Sequence, residues 1–251
     1  MEQSYEGLKD YLGVAGNIVK EERSFMETHT LIKTGKTPHE TLHALMLPKC
    51  AMRFDPSYGI QSLFLSLMLG LDSTNINLIE VYTLWEKIHE PDAQHLMFYY
   101  QRTWKLNGYI IHDIKYTIDM LIALTWWVSQ KTVCDDIKVS SIGEYLKHQD
   151  KCFSVFDDFH GFFHLVNNIE NAYKHSIPNI DIRLMGKDEP AIYAYHAPYN
   201  KNIFKPKLYA VSLTGLIQDF NKFYSFSLDA LDQIGTKKKE QARLIENNAH
   251  P

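Results

Sequence analysis

The chain has 251 residues, of which 45% are hydrophobic and 13% aromatic, enough apolar material for a buried core and too much for a disordered chain. Its formal net charge of −4 argues against a broad electrostatic grip on nucleic acid, while leaving room for a local basic groove. Cys50, Cys134 and Cys152 stand far apart with no CxxC pair, so neither a zinc knuckle nor a disulfide framework is supported.

Residues 5–22 place Leu8, Leu12, Ile18 and Val19 at helical spacing and predict a first helix. The opening Met-Glu-Gln-Ser-Tyr-Glu carries neither the basic start nor the apolar stretch of a signal peptide, so reduced thiols and a cytoplasmic location are expected. Residues 30–56, with Gly35, Pro38, Pro48 and Pro56, read as loops around one short helix at 39–46. Tyr58 to Leu71 is apolar enough for a buried helix. Gly70 and Asp72-Ser73 predict its end, and Ser73 or Thr74 a cap for the next helix, to Glu90.

Pro91 opens a helical stretch over 92–131, in which Asn107-Gly108 predicts a kink or break. Its most hydrophobic window, Met120 to Gln130, is shorter than the about 20 residues a membrane helix needs, and no membrane contact is expected. A short helix follows at 140–148, then a longer one at 154–176 that stops before Pro178. Ile180 to Leu184 and Ala191 to Tyr195 alternate as strands, with Gly186 to Pro190 as the turn between them. A final apolar helix spans 207–234 (Leu208, Val211, Leu216, Phe220, Phe223, Leu231), and a polar tail begins at Thr236 with Lys237-Lys238-Lys239.

On the helix at 154–176, Phe159, Phe162, Phe163, Val166, Ile169 and Tyr173 make an ordinary core-facing stripe, and Ser154 with Asp157 reads as an N-terminal cap. The opposite side carries Asp157, His164, Asn168, Asn171 and His175 within an arc of roughly 60°. A helix face that only meets water favours Glu, Lys, Gln and Arg. Asn and His are poorer helix formers, costing up to about 0.7 kcal/mol each relative to Ala. A stripe of them is expected where side chains bind a partner helix, a ligand or a phosphate. The competing reading is that they cap loops or satisfy buried backbone groups.

The segment Asn168-Ile169-Glu170-Asn171-Ala172-Tyr173-Lys174-His175 resembles the signature of the HEPN superfamily. These are small α-helical domains, many of which act in RNA cleavage, toxin–antitoxin pairs and antiviral defence. Asn171 and His175 fall at the family's Asn and His positions, over a resemblance that spans residues 57–234. In the family's nucleases, His handles protons around the attacking 2′-hydroxyl and an Arg neutralises charge at the scissile phosphate. The resemblance therefore implies a metal-independent ribonuclease chemistry on His175 and Asn171, without a cofactor. It also implies a homodimer paired across the motif helix. The departure is Glu170, which stands at the Arg position and reverses the charge. Lys174 points about 100° from its neighbour His175; Arg102 and Arg183 are the other candidate cations.

Other constellations are weaker. Arg23 and His29 repeat an Arg-x5-His spacing by coincidence, and Asp157, His160 and His164 have a metal-compatible spacing without the two-helix Glu-x-x-His pattern of di-iron bundles. No metal is expected. His112, Tyr116 and Asp119 share one face of the long helix and would form a polar cleft if that face met the 164–175 stripe. Trp126-Trp127 and Phe220, Phe223, Tyr224 and Phe226 read as core.

The expected fold is all-α: a helical bundle over residues 1–235, with 1–56 as an N-terminal extension, a small β-hairpin inserted before the last helix, and a polar tail over 236–251. Two functions stay open. One is a HEPN-like protein acting on or sensing RNA in a bacterial defence or toxin-like system, with a protein partner from the same operon as a further expectation. The other is a non-enzymatic helical module binding a protein partner or nucleotide through the polar face of the 154–176 helix, with Asp157, His164, Asn168, Glu170 and Lys174 as its contact residues.

Overall fold

The computed structural model describes residues 29–33, 59–88, 96–130, 138–147, 153–175, 189–196 and 207–249. In chain order they form α1 (Gly59–Ile88), α2 (Leu96–Ser129), α3 (Ile142–Lys147), a 3-10 turn (Asp157–Phe159), α4 (His160–His175), β1 (Ala191–His196), β2 (Lys207–Ser212) and α5 (Leu213–Ala249). The expectations for 5–22, 39–46 and 180–184, and all three cysteines, fall outside the described residues.

The break expected at Gly70 to Ser73 does not occur; α1 runs through it. A single interior glycine costs about 1 kcal/mol relative to alanine, less than the burial of Leu67, Leu71, Leu78 and Val81 on one stripe stabilises. Thr74, expected as a cap, is instead a buried interior residue whose hydroxyl donates to Gly70 O at 2.9 Å. Nor is α2 interrupted at Asn107-Gly108. It is one rod of 34 residues, about 51 Å long, with Leu106, Ile110, Ile114, Ile118 and Leu121 facing the core.

Glu80 meets Arg102 and Thr74 meets Asp113, so α1 and α2 are antiparallel. Trp104 and Gly108 meet Tyr173 while His112 meets Glu170, so α2 and α4 are antiparallel too. α5 packs on α2, and β1 packs on α4. The centre of the core is aromatic: Phe156 contacts Tyr145, Phe153, Phe163 and Phe223 at centroid distances of 5.4–6.2 Å. Trp126, Phe220, Phe223 and Tyr224 are buried as expected, whereas Phe226 is 38% exposed.

The small sheet lies just before the last helix, but its strands are differently paired from the expectation. β1 pairs antiparallel with β2, from Ala191 opposite Ser212 to His196 opposite Lys207. Residues 207–212, expected as the first turns of the last helix, are the strand partner. α5 starts at Leu213, where Ser212 Oγ accepts the Gly215 N–H at 3.0 Å and caps it. It continues to Ala249, through the stretch expected as a polar tail. No described helix is long and apolar enough to cross a membrane.

Candidate functional site

α4 enters through a turn that the sequence assigns to the wrong group. Asp157 N–H donates to Ser154 O at 3.2 Å, but the residue at the N-cap is Phe156, which makes no side-chain cap bond. Its Oδ1 accepts the Tyr145 hydroxyl at 2.7 Å, while that hydroxyl accepts the Phe156 N–H at 3.0 Å. Burial and the neighbouring Asp157 carboxylate push the Tyr145 pKa up, so the phenol stays a donor. Asp157 thus ties α3 to the start of α4 while keeping an exposed edge.

Along α4, His164 and Lys174 are exposed and Asn168 and Asn171 half-buried, so the open side carries amides and imidazole. His175 closes the helix, and its side chain lies outside the described residues. Glu170 departs from this face. It is 2% exposed and turned toward α2, so it is not part of an open partner surface.

Buried carboxylates require partners, because desolvating a lone charge costs several kcal/mol. Glu170 has two. Lys174, one turn on, forms an ion pair with Oε1, and His112 Nδ1 of α2 lies 3.4 Å from the same oxygen. Lys174 is half-exposed, so this is a buried anion capped by a surface cation.

The cleft expected from His112, Tyr116 and Asp119 forms only at His112. Tyr116 is 45% exposed. Asp119 serves α3 instead, its Oδ1 accepting the Ile142 N–H at 2.7 Å and its Oδ2 the Lys115 ammonium at 2.6 Å. Of the candidate cations, Arg102 is engaged by both oxygens of Glu80, at 2.6 and 2.9 Å. Arg183 lies outside the described residues, as does Arg23. His29 sits beside Glu86 at 3.4 Å and against the Tyr82 ring, away from α4.

His160 Nε2 is 3.7 Å from Asp157 Oδ1. Among the described residues, no three His, Cys, Asp or Glu side chains converge as ligands of a metal would. Asp113 is half-buried, and its carboxyl is pushed up by burial, against the lowering effects of the Thr74 hydroxyl and His112.

The residues that sequence reasoning missed are those whose partners lie far along the chain. Gly108 lies under Tyr173, Glu170 is paired across to His112, and Asn75 and Asn221 grip residues 31–33. The only local signal was the oddity of Asn and Gly inside strongly apolar helices. The chain matches no protein-family profile, no curated protein and no solved structure.

Proposed function

We propose that this chain is a non-enzymatic helical module that binds a protein partner through the open polar face of α4, built on a HEPN-like bundle. The observation that carries this reading is the pairing of Glu170 with Lys174 and His112. A phosphate-cleaving site needs positive charge free to meet the charge that develops on the phosphoryl oxygens. Glu170 stands where the resembled nucleases have Arg, and it occupies the nearest cation on α4. A phosphodiester brought to this end of α4 would meet a buried anion with its compensating lysine already engaged.

What remains on the open face is the hydrogen-bonding capacity of the amides Asn168 and Asn171 and the imidazole of His164, with one carboxylate, Asp157, at the start of the helix. Amides in this arrangement suit the polar groups of a protein surface, where both donors and acceptors must be met.

Two assays test the reading. In a metal-free panel of tRNA and single-stranded RNA, the wild-type chain is expected to leave every substrate intact. Cleavage that disappears in His175→Ala would overturn the proposal and restore the ribonuclease reading. A photo-crosslinker at position 171 is expected to trap one discrete protein in an extract of the native host, and the same group at Asp229 on α5 none. Equal labelling from both positions would count against α4 as the binding face.

A further inference from the structure

α1 and α2 carry large apolar side chains on the side turned away from the core. Leu69 and Ile76 of α1, with Phe98, Tyr109 and Tyr116 of α2, are 45–62% exposed. Leu69 and Ile76 are seven residues apart, and so are Tyr109 and Tyr116. Seven residues are close to two helical turns, so each pair forms a line along its helix. Phe98 falls within about 20° of the line through Tyr109 and Tyr116. The two lines lie side by side, because Glu80, one turn from Ile76, is ion-paired with Arg102, two turns from Tyr109.

About half of each of these five side chains is open, so the stripe offers on the order of 500 Å² of apolar surface. That is at the upper end of the largest patch on an ordinary monomer, about 300–600 Å². Two such stripes face to face bury about 1,000 Å² before any flanking residue is counted, close to the about 1,200 Å² at which stable interfaces begin.

Two charges flank the stripe without an opposite partner in their own chain. Lys105, one turn before Tyr109, is exposed and has no carboxylate partner among the described residues. Asp113, one turn after Tyr109, is half-buried, with the Thr74 hydroxyl at 3.2 Å and His112 beside it, and meets no lysine or arginine among the described residues. Each lies about 6 Å along the axis from Tyr109, in opposite directions. A two-fold axis crossing the stripe at Tyr109 reverses the helix direction and exchanges those two levels. Each lysine then stands level with a carboxylate, on both sides of the axis.

We infer that the outer face of α1 and α2 is where two copies of this chain pair antiparallel, with the exposed apolar stripe as the seam and Lys105 paired with Asp113 of the partner subunit. The occupant is a second copy because one stripe supplies both members of the charge pair at equal distances from its centre. The pairing does not rest on the role given to α4, and it differs from the pairing across the motif helix that the HEPN resemblance implies.

Sedimentation of the full chain is expected to show a particle of twice the chain mass. Tyr109→Glu places two like charges at the axis, and Ile76→Glu does the same on the α1 line. Each should give a monomer with unchanged helical circular dichroism. A monomeric wild-type chain, or a dimer that survives both substitutions, overturns the proposal.

The charge pair tests the register. Lys105→Glu and Asp113→Lys each turn two symmetric pairs repulsive and should weaken dimerisation roughly tenfold. An equimolar mixture of the two variants should form a heterodimer as tight as the wild-type pair, because opposite charges meet again at both places. A mixture no tighter than the single variants overturns the proposal. Should Asp113→Lys fail to fold, Tyr109→Cys decides: a residue on the axis meets its own copy, and oxidation should give a disulfide-linked dimer that the wild-type chain, with its three cysteines, does not form. Absence of that link also overturns it.

Discussion

Gly108 of α2 lies directly against Tyr173 of α4: a Cβ at 108 would sit 3.2 Å from Tyr173 Cδ1 and 3.5 Å from Cε1. The ring cannot retreat easily, because its other neighbour is Trp104, stacked at 5.8 Å. Tyr173 itself is partly buried, and that burial raises its pKa. The glycine is thus a point of helix approach, and the residue that looked like a helix breaker is what lets two helices pack.

Two opposed effects set the outcome of Gly108→Ala. Alanine gains about 1 kcal/mol of helix propensity, while overpacking typically costs about 1–3 kcal/mol. A net loss of about 1 kcal/mol in urea unfolding is expected. In a Tyr173→Leu background the contact is gone, and the same substitution should stabilise. A gain from Gly108→Ala in the wild-type background would mean the ring has room to move.

The Glu170 cluster predicts a sign reversal of its own. Lys174→Met leaves a buried carboxylate with only His112 and should cost about 1–3 kcal/mol, toward the lower end because Lys174 is half-exposed. Replacing both residues, Glu170→Met with Lys174→Met, removes the orphaned charge and should recover most of the loss. Additive losses in a double-mutant cycle would show that the pair is uncoupled.

Asp72 links stability to pH. Burial alone raises its carboxyl above the ordinary value of 3.8, so the folded state holds the proton more tightly than the unfolded state. The resulting stability is fully present below pH 3.8 and is lost as pH rises through the raised folded value. Asp72→Asn should therefore be more stable than wild type at pH 7 and lose that advantage below pH 3.8. It should also lower the raised Tyr224 pKa, part of whose shift comes from the Asp72 charge. Denaturation midpoints from pH 3 to pH 8 check the first, and ultraviolet titration of tyrosine the second.

Tyr145→Phe deletes a hydroxyl that joins Asp157 to the Phe156 amide. The Phe156 N–H is then left buried without that partner, and a loss of about 1–3 kcal/mol is expected. Asp157→Asn keeps an acceptor in place and should cost clearly less. Equal losses in thermal unfolding would mean that the charge of Asp157, and not its geometry, carries the contact.

The helical class, the small sheet before the last helix, and the core stripe of Phe163, Val166 and Ile169 were legible because they depend on apolar periodicity, a property of neighbouring residues. The boundaries at Gly70, Gly108 and Lys207 were not. Glycine and polar residues punctuate a helix only when nothing distant compensates, and here Leu71, Tyr173 and the β1 strand do. The polar stripe of α4 was legible as a pattern of residue types. Glu170 was not, because its burial depends on how α4 is rotated against α2.

By itself, then, the sequence determined an all-α chain with one strongly amphipathic helix ending in Asn171 and His175, since 3.6-residue periodicity needs no partner to be read. Only the tertiary structure decided that Glu170 is spent on Lys174 and His112, that Gly108 seats Tyr173, and that Asn75 and Asn221 hold Leu31–Lys33. The physical reason is common to all three. Each is an obligation of a buried polar group or of close packing, met by a residue between 43 and 190 positions away or, for Glu170, by one neighbour and one residue 58 positions off, and local pattern carries no record of such distances.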